Sequence, residues 1–337
     1  MVHPMIRVVE IDRAGTVSIG ERVRPDPTVD EILIAPTVCG ICGTDLHIIK
    51  GEFPQAVYPV VPGHELAGIV VASPHHGKRL PEGSLVAVDP NVVCGVCRFC
   101  RAGRPNLCDK LAVIGVTRQG AAGELVAIPA GNAFVVSPAA GSHVAAMIEP
   151  LACAVNATER AGELRGRRIL IMGAGTMGLL IAVLAKVVGA EEIWVSDPAT
   201  AKHDVARSVG ANSVVHPRAL AGERFDIVFE AAGSLPAARQ VMELLHPMGT
   251  WMQIGVHTPE AHVDLKPFDI FERELRIIGS NSLADKFPQA VELMPQVSEA
   301  VSKLVTKTFR VWDFAEAVQG MGSAGSVKTQ LQITPFH

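Results

Sequence analysis

The stretch RRILIMGAGTMGLLIAVLAKVVGA, residues 167–190, constrains the chain more than any other. A continuous apolar run, three glycines and a second apolar run read as strand, tight turn and helix. Gly173 permits the turn, Gly175 lets the backbone approach a pyrophosphate, and Gly178 lets helix and strand pack closely. The start of such a helix offers free N–H groups and a positive dipole end to phosphates. A packing turn can show the same glycine spacing, but the position between strand and helix is the one dinucleotide binding requires. The next apolar run, EEIWVSDP, ends at Asp197, about 20 residues on, where a carboxylate accepts ribose hydroxyls and repels a 2′-phosphate. NAD is therefore expected rather than NADP, with Lys202 as a nearby charge that weakens the preference.

Further apolar runs follow, SVVHP, FDIVFEAAG, GTWMQIGV and LRIIGS, each before a turn or helix. Runs of this kind suit strands buried on both faces, so six of them alternating with helices predict a doubly wound parallel sheet. Upstream the character differs. EILIAPTVC, LAGIVVAS, SLVAVDP, AGELVAIP and AFVVSP are short β-branched runs broken by Gly and Pro, and predict an irregular, mostly antiparallel β domain. LACAVNATERAG reads as a helix joining the two, and the tail QLQITP as one more strand. The expected division is 1–151 for the β domain, 152–281 for the dinucleotide domain, and a return to the first domain over 282–337.

The seven cysteines are an odd number for a disulfide framework, and their grouping is more telling. Cys94, Cys97, Cys100 and Cys108 are spaced Cx2Cx2Cx7C, which can close a tetrahedral thiolate shell around zinc with no position left for water. That makes a structural site, in a lobe spanning about 89–110, with Arg98, Arg101, Arg104 and Lys110 offsetting its negative charge. A ferredoxin-type run would continue as Cx3CP, which is absent. Clustered thiols suit a reducing compartment, and the N-terminus has no signal-like apolar core, so a cytoplasmic protein is expected. A formal net charge of −4 without a basic run argues against nucleic acid, and no segment reaches the roughly 20 apolar residues of a membrane span.

CGICGTDLH, residues 39–47, places two cysteines, a hydroxyl, a carboxylate and an imidazole together. A reacting alcohol needs a Lewis acid with an open position and a route for its proton. His64 in PGHE and Glu149 in MIEPLAC are further candidate ligands. Each has an ordinary structural reading when taken alone.

Together, CGICGTDLH, VPGHELAG, the four-cysteine lobe, EPLACAV and GAGTMG resemble the zinc-dependent medium-chain alcohol dehydrogenases, most closely the sorbitol and polyol dehydrogenases, with threonine 3-dehydrogenase as a neighbour. The resemblance runs over essentially the whole chain and implies a GroES-like β domain beside the Rossmann sheet. It implies a catalytic zinc on Cys42, His64 and Glu149, with Glu65 close to the metal and Asp45 orienting His64. It further implies that Thr44 takes the alcohol proton and passes it through the nicotinamide ribose to His47, while hydride goes to NAD. Cys39 has no metal role in this reading. Met177 and Lys202 would flank the adenosine. Ile254, Gly255 and Val256, with Ser280, Asn281 and Ser282, would lie along the nicotinamide half. Two zinc ions per chain, a secondary-alcohol substrate and a homodimer or homotetramer are implied. Sorbitol-type enzymes carry an arginine where this chain has Ser282, so a vicinal diol, cyclitol or modified sugar alcohol is expected in place of sorbitol. An amino-alcohol dehydrogenase and a zinc-free NADPH-binding quinone reductase or structural protein on the same fold are the competing readings.

Overall fold

In the computed structural model, residues 4–74 and 79–333 are described. Thr334 and Pro335, at the end of the expected last strand, lie outside them, as do the outermost residues of the expected first and last domain segments.

Six parallel strands form one sheet: Arg168–Met172, Glu192–Ser196, Ser213–Val215, Phe225–Glu230, Leu245–Gln253 and Arg276–Gly279. Numbered along the chain they lie in the order 3-2-1-4-5-6, the doubly wound order that reverses beside the first strand. Alternation along that first strand explains its continuous hydrophobicity. Ile169 and Ile171 pack into one core, Leu170 and Met172 into another on the opposite face, and all four are buried.

The second sheet has seven strands, six on its main path and one beside it, and it draws on both ends of the chain. Its centre is Glu31–Ile41, paired antiparallel to Glu65–Ala72 on one side and to Lys328–Gln332 on the other. Val126–Pro129 also pairs with Glu31–Ile41, and Leu85–Val88 and Ala133–Val135 extend the sheet. Among the elements absent from the sequence reading are a hairpin of Met5–Ile11 and Val17–Val23, the helix Phe287–Ser302, the strand Val305–Arg310 and the helix Phe314–Met321. The strands among them alternate exposed and covered residues and so lack the apolar continuity used to find the others.

The helix Ile148–Ala161 packs against the helix Thr176–Val188 and joins the two sheets. Glu149, Cys153 and Asn156 fall at i, i+4 and i+7 on it, along one face. Among the described residues no helix is long and apolar enough to cross a membrane.

Candidate active site

Cys42 ends the central strand's excursion and caps the helix Gly43–Ile49. Its backbone N–H donates to Asp45 Oδ2 at 2.9 Å, and its Sγ accepts from the backbone N–H of Thr44 at 3.2 Å. This reciprocal cap aims the sulfur inward and fixes Asp45, which is 1% exposed. His64 arrives from the loop before Glu65–Ala72, with Nε2 3.0 Å from Cys42 Sγ and Nδ1 3.8 Å from Asp45 Oδ1. The ligand atoms of Cys42, His64 and Glu65 all lie within 4.8 Å of one another.

Glu149 stands outside that three-residue group. Its Oε1 accepts from the Cys153 thiol at 3.5 Å, and its carboxyl is pushed up to about 7 by burial and by the charge of Glu65. The structure thus brings Glu65 nearer the thiol–imidazole pair than Glu149, although the resemblance gives Glu149 the ligand's part. Opposite them is Lys328, 1% exposed, ion-paired to Glu65 and donating to the Ile41 carbonyl at 3.0 Å. Burial opposes its charge, but Glu65, Cys42 and Glu149 hold its pKa above the ordinary value.

The donor set fits a divalent metal. Cys42, Asp45, Glu65 and Glu149 put four acidic groups around one lysine ammonium and one imidazole, and Asp45 Oδ1 and His64 Nδ1 are buried without hydrogen-bond partners. Such a concentration of acidic donors, three of them buried, suits a cation. Cys39 takes no part: it is fully buried, with its sulfur under Gly63.

The second thiol group also fits a metal. Cys94, Cys97, Cys100 and Cys108 converge, with Cys97 Sγ to Cys100 Sγ and Cys94 Sγ to Cys108 Sγ both at 3.5 Å. Backbone N–H groups point at the sulfurs, from Cys97 to Cys94 at 3.4 Å and from Lys110 to Cys108 at 3.3 Å. Those of Cys100 and Asp109 hold the Cys97 thiol down to about 6, which favours the thiolate that a metal requires. All seven cysteines are free of disulfides.

The cofactor candidates collect at the carboxyl edge of the parallel sheet. A Cβ on Gly178 would sit 1.9 Å from the Gly173 carbonyl oxygen, so helix and turn tolerate only glycine there. A Cβ on Gly175 would meet nothing within 4 Å, which leaves the helix start open to an approaching phosphate. Asp197 is buried, accepts from the backbone N–H of Ala174 and of Ala199 at 2.8 Å each, and has Lys202 Nζ 3.8 Å away. It therefore also ties down the glycine turn. Met177 is half-buried beside that turn. Ile254 and Gly255 donate backbone N–H groups to the Glu230 carbonyl, and Val256 is exposed. Ser280, Asn281 and Ser282 follow the edge strand Arg276–Gly279.

Residues 28–139 match the family model of the alcohol dehydrogenase GroES-like domain, and residues 176–296 that of the zinc-binding dehydrogenase. D-altritol 5-dehydrogenase of Agrobacterium fabrum (strain C58 / ATCC 33970) is 32% identical over 89% of this chain and 91% of its own length. The chain belongs to the zinc-type medium-chain alcohol dehydrogenase family. Among solved structures, a zinc-binding dehydrogenase from Sinorhizobium meliloti 1021 bound to NADP superposes with a TM-score of 0.93 at 32% identity, covering 98% of this chain and 100% of that one. RspB from Escherichia coli CFT073, complexed with NADH, gives 0.90 at 29% identity, over 97% and 99%.

Within this alcohol dehydrogenase four site residues escaped sequence reasoning. Lys328 sits in KTQLQ, where strand alternation puts Lys328 and Gln330 on one face without saying that the face is buried. Glu52 Oε2 bonds His47 Nδ1 at 2.8 Å across the end of a helix. Glu230 is fully buried and holds two loops at once, accepting from the backbone N–H groups of Ala232 and Gly233 at 2.9 Å and from Gln253 Nε2 at 2.6 Å. An acid inside the apolar run FDIVFE was its signal. Asn156, inside an alanine-rich helix, had none.

Proposed function

We propose that this protein is a zinc-dependent, NAD-linked dehydrogenase that oxidises a secondary alcohol of a polyol, cyclitol or sugar alcohol to the ketone. The observation that carries the reading is the cluster of acidic groups at half-buried Cys42 and buried Asp45, Glu65 and Glu149, the last on the same helix that reaches the cofactor edge of the parallel sheet. Cys42, His64 and Glu149 would hold the catalytic zinc, with Glu65 adjacent, and the four lobe cysteines the structural one. When bound, the catalytic zinc supplies a Lewis acid that lowers the pKa of the alcohol. Thr44, on the first turn of the helix Gly43–Ile49, receives the proton. His47, one turn on, carries it outward, held by Glu52 in a fixed orientation at the protein surface. The altritol dehydrogenase relationship supports a polyol substrate.

NAD is supported by Asp197, whose carboxylate opposes a 2′-phosphate, although Lys202 lies within reach and one solved relative carries NADP. Met177 and Lys202 flank the adenosine in this proposal. Residues 254–256 and 280–282 line the nicotinamide half. The proposed domain division is 1–151, 152–281 and 282–337. A reducing, cytoplasmic setting is in keeping with the free thiols.

The protein is further proposed to form homodimers or homotetramers. Ile277 on the edge strand is 41% exposed, and Phe268 and Phe271 in the segment before it are 64% and 79% exposed. An unpaired edge of this kind suits pairing with a second copy.

The test is metal analysis joined to a screen of vicinal diols, cyclitols and sugar alcohols with NAD and NADP, read at the absorbance of the reduced cofactor. About two zinc per chain and activity lost on chelation are expected. A chain without zinc, or one that oxidises none of these alcohols, would sink the proposal.

A further inference from the structure

The segment that leaves the last parallel strand is held from two directions by asparagines. Asn156 Nδ2 on the helix Ile148–Ala161 donates to the Ser282 carbonyl at 2.8 Å, with the Ser280 hydroxyl at 3.2 Å and the Asn281 carbonyl at 3.5 Å. From the cysteine lobe and its base, Asn106 Nδ2 donates to the Asn281 carbonyl at 2.8 Å and Asn91 Nδ2 to the Ser282 hydroxyl at 3.1 Å. All three asparagines are buried, at 1%, 7% and 6% exposed for Asn156, Asn106 and Asn91.

The clamp works against local preference. Ser282 and Ala284 lie at φ 56° and 52°, a left-handed conformation that residues with a Cβ rarely adopt. Asn156 Oδ1 and Asn106 Oδ1 are both buried without a partner. Turning either amide over would set oxygen against oxygen, so the donors must face the segment and the acceptors stay unpaired. Unpaired buried acceptors and a strained backbone persist where the surroundings over-determine them, and such features gather at ligand-holding sites. The segment lies at the carboxyl edge of the parallel sheet, outside which ligands bind in doubly wound folds.

We propose that Asn156, Asn106 and Asn91 are positioning residues that fix segment 280–282 for the nicotinamide half of the cofactor, so that the cysteine lobe shapes cofactor binding as well as stability. The inference rests on the cofactor reading above. Asn156 also stands two helical turns from Glu149, about 10 Å along one rigid element, which ties the same segment to the candidate catalytic site.

The test compares binding of NADH with that of ADP-ribose, which has the adenosine and both phosphates but no nicotinamide. The protein is used as isolated with its metals. Asn156→Asp keeps the side chain's size while replacing the donor by an acceptor, and Asn106→Ala removes one lobe contact at lower risk to folding. Both variants should weaken NADH binding, Asn156→Asp by about tenfold, with ADP-ribose affinity and zinc content unchanged. NADH binding unchanged in both variants would overturn the proposal. So would an equal loss of ADP-ribose binding, which would mark general damage to the fold. If the unmodified protein bound neither ligand, the cofactor reading itself would fall.

Discussion

Lys328 is a buried ammonium whose partner, Glu65, has no solvent to turn to. Removing one half of such a pair leaves the other half uncompensated, which costs about 3–5 kcal/mol. Lys328→Ala should lose about that much in urea unfolding, whereas Lys328→Met combined with Glu65→Gln should recover a large part of it. Strict additivity of the two changes would show that they do not interact. Asp197 carries a different double role. Asp197→Ala should weaken NAD binding more than NADP binding, because the repulsion toward a 2′-phosphate goes with the carboxylate. Both cofactors should nevertheless suffer, since Ala174 and Ala199 lose their acceptor. An unchanged NAD/NADP ratio would refute the cofactor role of Asp197. Single residues such as Cys42, His64 and Asp197 were legible because short motifs place them. Lys328 was not, because its meaning depends on a strand pairing with residues about 290 positions upstream.

At the scale of elements the cysteine lobe and its base are the most separable part. Cys97→Ser should lower thermal stability and structural metal content together, since it opens a closed shell. Retention of both would remove the lobe's metal role. Asp89, at the base of the lobe, accepts from the Asn91 N–H at 2.8 Å, yet burial pushes its carboxyl from 3.8 to about 7. The folded state thus keeps a proton that the unfolded chain gives up. The resulting stability is full below about pH 4 and is lost as pH rises toward 7. Asp89→Asn should flatten that slope in pH-dependent unfolding and raise stability at pH 8 by roughly 1–3 kcal/mol. A wild-type slope in the variant would assign the proton elsewhere. The inner parallel strands Arg168–Met172 and Phe225–Glu230 were readable as elements because burial on both faces makes them almost continuously apolar. Val305–Arg310, with one covered face and Lys307 and Arg310 in its sequence, offered no such run.

For the whole molecule, the proposed homo-oligomer turns on the exposed edge at Arg276–Gly279. On that proposal the protein should sediment as an oligomer and Ile277→Lys should shift it toward the monomer, because a charge on a pairing edge opposes association. Unaltered sedimentation as an oligomer would place the contact elsewhere. The interleaving of the two sheets has a consequence in time. Glu65 belongs to the early part of the chain and its ammonium partner to a strand about 260 residues later, with the whole parallel sheet made in between. At translation rates of about 5–20 residues per second, that interval lasts on the order of tens of seconds. Throughout it, the nascent chain carries Cys42, His64 and Glu65 without Lys328, an anionic half-site whose charge any passing divalent cation could answer. The choice of metal proposed for that site would thus be open to competition in the cell before the site's own lysine has been synthesised.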